Sequence, residues 1–166
     1  MTRLLLFLLL QLPLPVLALS GDKEQPINIE SDRLDIDEAN GISTYQGNVH
    51  YTQGSIVLNA DVLVIHSRDG KLQKFEANGD PADYKQDLDN GEKLNAESKS
   101  MEYIADSEKL ILRENVHIVK GENVFTGNVV EYSTKDEIVS ARKAETGEER
   151  VKVIIQPRKQ SDKPAQ

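Results

Sequence analysis

The stretch Ile27-Asn28-Ile29-Glu30-Ser31-Asp32-Arg33-Leu34-Asp35-Ile36 holds the pattern on which the fold turns. Ile27 and Ile29 alternate with polar residues, so the segment reads as a strand with one buried face. A small residue, Ser31, takes the fifth position. The apolar spacing then slips from two to three before Leu34 and Ile36. A slip of one residue would turn every later side chain to the opposite face. A bulge or bend at the small residue restores the face, which predicts a long strand with a corner in it.

The same line occurs four times. The second copy is Ile56, Leu58, Ala60, Leu63, Ile65, and the third is Leu94, Ala96, Ser98, Met101, Tyr103. The fourth is Asn123, Phe125, Gly127, Val130, Tyr132. At a coarser level, residues 27–65 lie on 94–132 without a gap: Asn28 meets Asn95, Ser31 meets Ser98, and Asn48-Val49-His50 meets Asn115-Val116-His117. Self-similarity at a fixed period marks a repeat architecture. A second strand follows each line, at 42–51, 71–75, 110–119 and 138–142, and a last strand is expected at 151–155. Asn40-Gly41, Asp69-Gly70, Asn78-Gly79 and Asn90-Gly91 read as turns. Asp106-Ser107 joins two alternating segments and also reads as a turn, and no capped helical pattern follows residue 20. The expected fold is all-β: four strand-pair repeats giving about a dozen or more short strands, in an antiparallel jelly roll or folded-over sheet.

Outside the repeats, Met1-Thr2-Arg3, the apolar run Leu4–Leu10, Pro13, Pro15 and Ala18-Leu19-Ser20 read as a secretory signal peptide over residues 1–20. The run is too short and too proline-broken for a membrane span. Residues 21–157 form the expected domain, and the polar 158–166 an expected disordered tail. The chain carries 20 basic and 28 acidic residues, a net charge of −8. Loss of Arg3 with the leader leaves −9. This excludes the basic patch of a nucleic-acid binder, and an anionic ligand must be held by something other than long-range attraction. Cysteine is absent, which excludes thiol catalysis and Cys-ligated metal. With no Trp and few aromatics, the core is expected to be Ile, Val and Leu.

No catalytic constellation stands out. His50 and His117 occupy equivalent repeat positions and are expected on outward strand positions, and no third ligand for a metal accompanies them. Asp35-Ile36-Asp37-Glu38-Ala39-Asn40-Gly41 misses the calcium-loop spacing, with Gly at the seventh position instead of the sixth; it reads as a strand end and turn. Asp87, Asp89 and Glu92 read the same way. The carboxylates are scattered on outward positions, so no glycosidase pair can be selected. No Gly-x-Ser-x-Gly elbow or phosphate loop occurs. The expectation is a protein without cofactor, metal or enzymatic activity.

The run Gln25-Pro26-Ile27-Asn28-Ile29-Glu30-Ser31-Asp32 resembles the N-terminal signature of the OstA-like, LptA-type lipopolysaccharide-transport family. Gly47-Asn48-Val49, Gln53-Gly54, Asn59-Ala60-Asp61, Pro81-Ala82, Asp89-Asn90-Gly91 and Met101-Glu102-Tyr103 continue in register, so the resemblance covers residues 24–157. It implies a β-jellyroll with an open, V-shaped profile. It implies a periplasmic bridge for outer-membrane assembly, reaching inner-membrane LptC and outer-membrane LptD and stacking head to tail with itself. The lipid A acyl chains of lipopolysaccharide would travel in an apolar groove. The alternating positions then become lining candidates: Ile27, Ile29, Leu34, Ile36, Val49, Tyr51, Ile56, Leu58, Leu63, Ile65, Phe75, Tyr84, Met101, Tyr103, Leu112, Val116, Phe125 and Tyr132. Plain core packing would use the same alternation. Two other functions are weighed beside the carrier: a structural adaptor of the same fold without lipid binding, and a periplasmic hydrolase on a jelly-roll scaffold. The hydrolase needs a convergent acid pair or metal site.

Overall fold

The computed structural model describes residues 21–136, 138–143 and 150–157; the expected signal peptide and tail lie outside them. After a single 3-10 turn, Asp22–Glu24, come ten strands. They are β1 (Asn28–Glu30), β2 (Arg33–Asp37), β3 (Ile42–Gln53), β4 (Ile56–Arg68), β5 (Lys71–Asp87), β6 (Lys93–Ile104), β7 (Lys109–Lys120), β8 (Asn123–Ser133), β9 (Ile138–Arg142) and β10 (Lys152–Ile154). All pairings are antiparallel and join one continuous sheet in the order β1-β3-β4-β5-β6-β7-β8-β10. β2 continues the β1 edge along β3, and β9 continues the β10 edge along β8.

The corner expected at each small residue is present. Register shifts fall between Asn59 and Val62, and between Glu97 and Ser100, around Ala60 and Ser98. At Ser31 the edge strand breaks outright into β1 and β2. The intervening strands turn the same corner by other spacings. β3 and β7 step four residues, from Tyr45 to Val49 and from Leu112 to Val116, through left-handed pairs Gly47-Asn48 and Glu114-Asn115. β5 steps five, from Ala77 to Ala82, through Asn78-Gly79-Asp80-Pro81. Each device spends the residues needed to return the apolar side chains to the same face.

These shifts lie side by side across the sheet and form one crease. The crease folds the sheet into two arms whose apolar faces meet. Tyr51, on the first arm, and Phe75, on the second, approach with ring centroids 6.4 Å apart. Buried side chains from both arms form a single core cluster.

Two sequence expectations are corrected. Asn78-Gly79 is not a turn between strands; it lies inside β5, where the extra residues make the corner. The strand expected at 71–75 therefore runs on to Asp87. For the same reason the described residues form ten strands, several of them long, and not a dozen or more short ones: the chain passes the crease without leaving the sheet. The last strand is Lys152–Ile154, within the expected span.

Candidate functional site: an edge-to-edge apolar interior

The strand register lines up the inward side chains into rows that cross the whole sheet. On the first arm one row runs Ile29, Tyr51, Leu58, Tyr84, Ala96, Ile118, Phe125, Val153. On the second arm a row runs Leu34, Tyr45, Leu63, Ala77, Met101, Leu112, Val130, Ala141. Beside it lies Ile36, Ser43, Ile65, Phe75, Tyr103, Leu110, Tyr132, Val139. Eight strands at the usual spacing of about 4.8 Å give each row a length of roughly 33 Å. No charged residue interrupts these rows.

Of the lining candidates, Val49, Tyr51, Leu58, Leu63, Phe75, Tyr84, Met101, Leu112, Val116 and Tyr132 are buried. Ile29, Ile56, Ile65, Tyr103 and Phe125 are partly buried against that core. Ile27, Leu34 and Ile36 are exposed, and all three sit on or beside the β1–β2 edge. At the opposite edge Ile138, Val153, Ile154 and Ile155 are also exposed. The interior is thus packed along its length and surfaces at Leu34 and Ile36 on one edge and at Val153 on the other. The rows that end at Val139 and Ala141 stay partly buried there, and Ile138 and Ile154 alternate with row residues and face away from them. The lining candidates left out Leu94, Leu110, Ile118 and Val130, which are buried, although Leu94 and Val130 stand in the repeat lines and all four belong to alternating sets.

Polar groups inside are few, and two of the buried phenols are satisfied by glutamines on their own strands. The Tyr51 hydroxyl donates to Gln53 Oε1 at 2.8 Å, and that of Tyr84 to Gln86 Oε1 at 2.9 Å. Burial pushes the Tyr51 phenol up to about 12 and raises that of Tyr84 further, so both stay neutral across the physiological range. Lys120 brings its ammonium 5.5 Å from the centre of the Tyr132 ring, joining the far end of one arm to the other.

The outer face is polar. His50 and His117 are exposed there, in register with Glu30 and Glu97 respectively. His50 Nδ1 lies 2.6 Å from Asn59 Oδ1, and Asn59 Nδ2 donates to Asp83 Oδ2 at 2.6 Å. Lys74 beside Glu76 holds that carboxyl below the usual range. Asp37 accepts from the backbone N–H and side-chain amide of Asn40, which fixes the Asn40-Gly41 turn and lowers its carboxyl. Among the described residues no cluster of three or more His, Asp or Glu is placed to hold a metal.

A family profile described as LptA/(LptD N-terminal domain) LPS transport protein matches residues 28–138. This chain belongs to that family. Among its curated relatives, the lipopolysaccharide export system protein LptA of Haemophilus influenzae is 34% identical over 143 residues, 84% of this chain and 82% of that protein. LptA of Escherichia coli K12 is 31% identical over 93% of this chain and 84% of its own. LptH of Pseudomonas aeruginosa, solved as the LptA-homologous periplasmic component of the lipopolysaccharide transport device, superposes with a TM-score of 0.75 at 26% identity. That match covers 82% of this chain and 99% of the solved one. The LptA-type fold in this family is therefore the open, creased all-β sheet described above.

Proposed function

We propose that this chain is a non-enzymatic periplasmic lipopolysaccharide carrier, exported by cleavage near residue 20. In this reading it bridges the inner and outer membranes by head-to-tail strand addition between copies, with LptC at one end and LptD at the other. The observation that carries the reading is the set of apolar rows that run from edge to edge, with Leu34, Ile36 and Val153 exposed on edge strands that pair on one side only. Such edges invite pairing with another chain, and a heterologous contact between unlike edges builds an open filament. End-to-end joining would make the rows continuous. Acyl chains would be held by burial, at about 0.8 kcal/mol per CH₂, which requires no basic patch and suits an acidic protein with an anionic cargo. The eighteen alternating residues named from the sequence are the proposed lining, together with Leu94, Leu110, Ile118 and Val130.

A structural adaptor without lipid binding is the second reading, favoured by the tight interior: Leu58, Leu63 and Met101 are fully buried. A photo-crosslinking residue at Tyr103 or Leu34, in cells making lipopolysaccharide, separates the two. The carrier reading expects lipopolysaccharide adducts at both positions. Partner adducts at Leu34 with no lipid adduct at either would establish the adaptor.

A further inference from the structure

The rows have open ends, but the fold also has an open side. Opposite the crease, among the described residues, no strand joins the turn-bearing tips of the two arms, although Lys120 of the first reaches the Tyr132 ring of the second. The first arm ends in the turn around Ser55 and in the end of β5, and the second in the turn Ala105–Glu108. The 3-10 turn at the chain's start crosses between them. Asp22 is buried; its Oδ1 accepts from Ser55 N at 2.7 Å, and its Oδ2 from Ser55 Oγ at 2.8 Å and Gln86 Nε2 at 3.2 Å. Gln53 Nε2 donates to the carbonyls of Lys23 and Gln25 at 3.3 and 3.2 Å. The very next side chain, Lys23, reaches the other arm and pairs with Glu108 at 2.9 Å.

The two attachments differ in kind. The first arm holds the strap through a buried carboxylate and five hydrogen bonds. Their acceptors and donors are themselves braced, since Gln53 and Gln86 receive the hydroxyls of the interior residues Tyr51 and Tyr84. The second arm holds it only through the Lys23 ammonium, which pairs with Glu108, side chains 58% and 33% exposed, and also interacts with the Tyr103 side chain. Water and salt compete for the exposed ion pair. The weak point is the Lys23–Glu108 contact.

Resting on the carrier reading above, we infer that Gly21–Gln25 is a gate strap, hinged on the first arm at Asp22 and latched to the second by Lys23–Glu108. An amphiphile with its acyl chains between the arms must keep its polar head outside, through the open side. It cannot move along the rows past the strap while the latch is closed. The strap lifts for each lipid that passes and returns behind it, so sideways loss is blocked between passages.

The chain has no cysteine, so Lys23→Cys with Glu108→Cys in the full mature protein gives two unique attachment points. They are bridged with a bis-maleimide that contains a reducible disulfide, and fluorescent lipid A is followed by stopped flow. The bridged protein is expected to bind and release at least tenfold more slowly than the unmodified protein, with recovery on reduction. Glu108→Lys is expected to exchange several-fold faster, and Lys23→Glu with Glu108→Lys to return to the original rate. Unchanged rates in the bridged protein, with lipid A still bound, overturn the gate and leave the carrier intact. No lipid A binding by the unsubstituted protein overturns both.

Discussion

Residues 27–36 and 94–103 carry the same line of sequence and meet opposite fates. The first copy is broken at Ser31 into β1 and β2, and its Ile27, Leu34 and Ile36 are 45%, 47% and 59% exposed. The second is the unbroken β6, and its Leu94 and Met101 are 1% and 0% exposed. The side chains are of one kind and point to one face. The difference is a neighbour: β6 lies between β5 and β7, whereas β1 and β2 pair only with β3. The edge is short, broken and carries Arg33, Asp35 and Asp37, devices that soluble proteins use to guard an edge, yet it leaves Leu34 and Ile36 bare; under the proposed stacking a second copy would cover them.

The widest separation between the two copies is expected at Met101 and its counterpart Leu34. Met101→Ala opens a cavity at the centre of the sheet and should cost about 2–5 kcal/mol, read as a fall in the urea midpoint. Leu34→Ala removes a side chain already half in water and should leave the midpoint of dilute protein within about 0.5 kcal/mol. Leu34→Asp should instead abolish concentration-dependent self-association in sedimentation velocity. If Leu34→Asp assembles as before, the β1–β2 edge is not a joint.

A sharper comparison comes from the corner of the strands beside these two. β3 turns through Gly47-Asn48 with φ of 78° and 46°, and β7 through Glu114-Asn115 with φ of 63° and 56°. The backbone is the same, but only β3 uses glycine. At Gly47 an added Cβ would run into the Asp32 carboxylate. That carboxylate is drawn in by Asn48 Nδ2 at 2.8 Å and by the Asp32 N–H donating to the Gly47 carbonyl at 3.0 Å. Gly47→Ala therefore combines a left-handed penalty of about 1–2 kcal/mol with a clash, and should loosen the tie between the broken edge and β3. Glu114→Gly relieves the same penalty at the cost of roughly 0.5–1 kcal/mol of chain entropy, for a net gain of at most about 1.5 kcal/mol in thermal or urea unfolding. A destabilised Glu114→Gly would mean that the glutamate makes a compensating contact at the crease.

The repeats, the corner at the small residue, the all-β class and the outward histidines were legible because they depend on alternation and spacing, which are local properties. The run of β5 through Asn78-Gly79 was not, because a five-residue step imitates a turn until its neighbours show that pairing resumes at Ala82. The strap was invisible for a different reason. Asp22, Lys23 and Glu108 are charged residues in polar surroundings, and only the crease brings the tips of the arms within their reach. Exposure of Ile27, Leu34 and Ile36 was equally out of view, since alternation assigns a face to a side chain but not a neighbour.

The smallest difference between the two copies concerns the residue that makes the corner. Small size alone explains Ala60 and Gly127, but Ser31 and Ser98 carry a hydroxyl that each uses in the same way. Ser31 Oγ donates to the carbonyl of Arg33 at 3.0 Å, and Ser98 Oγ to that of Ser100 at 2.9 Å. Arg33 and Ser100 are where pairing resumes after the corner, so the hydroxyl adds a donor at the irregular step. Ser98 is fully buried and water cannot replace it there, so Ser98→Ala should cost about 1 kcal/mol in urea unfolding. Ser31 sits at the edge, where water can take over, and Ser31→Ala should cost almost nothing in dilute protein. Under the proposed stacking a second copy covers the β1–β2 edge, and the Arg33 carbonyl would then lose that access to water. The Ser31→Ala penalty should then emerge as weaker association, about 1 kcal/mol or roughly fivefold in the dissociation constant, measured at concentrations where the parent protein assembles. Equal costs for the two serines in dilute protein would mean that the edge is already covered by the chain itself.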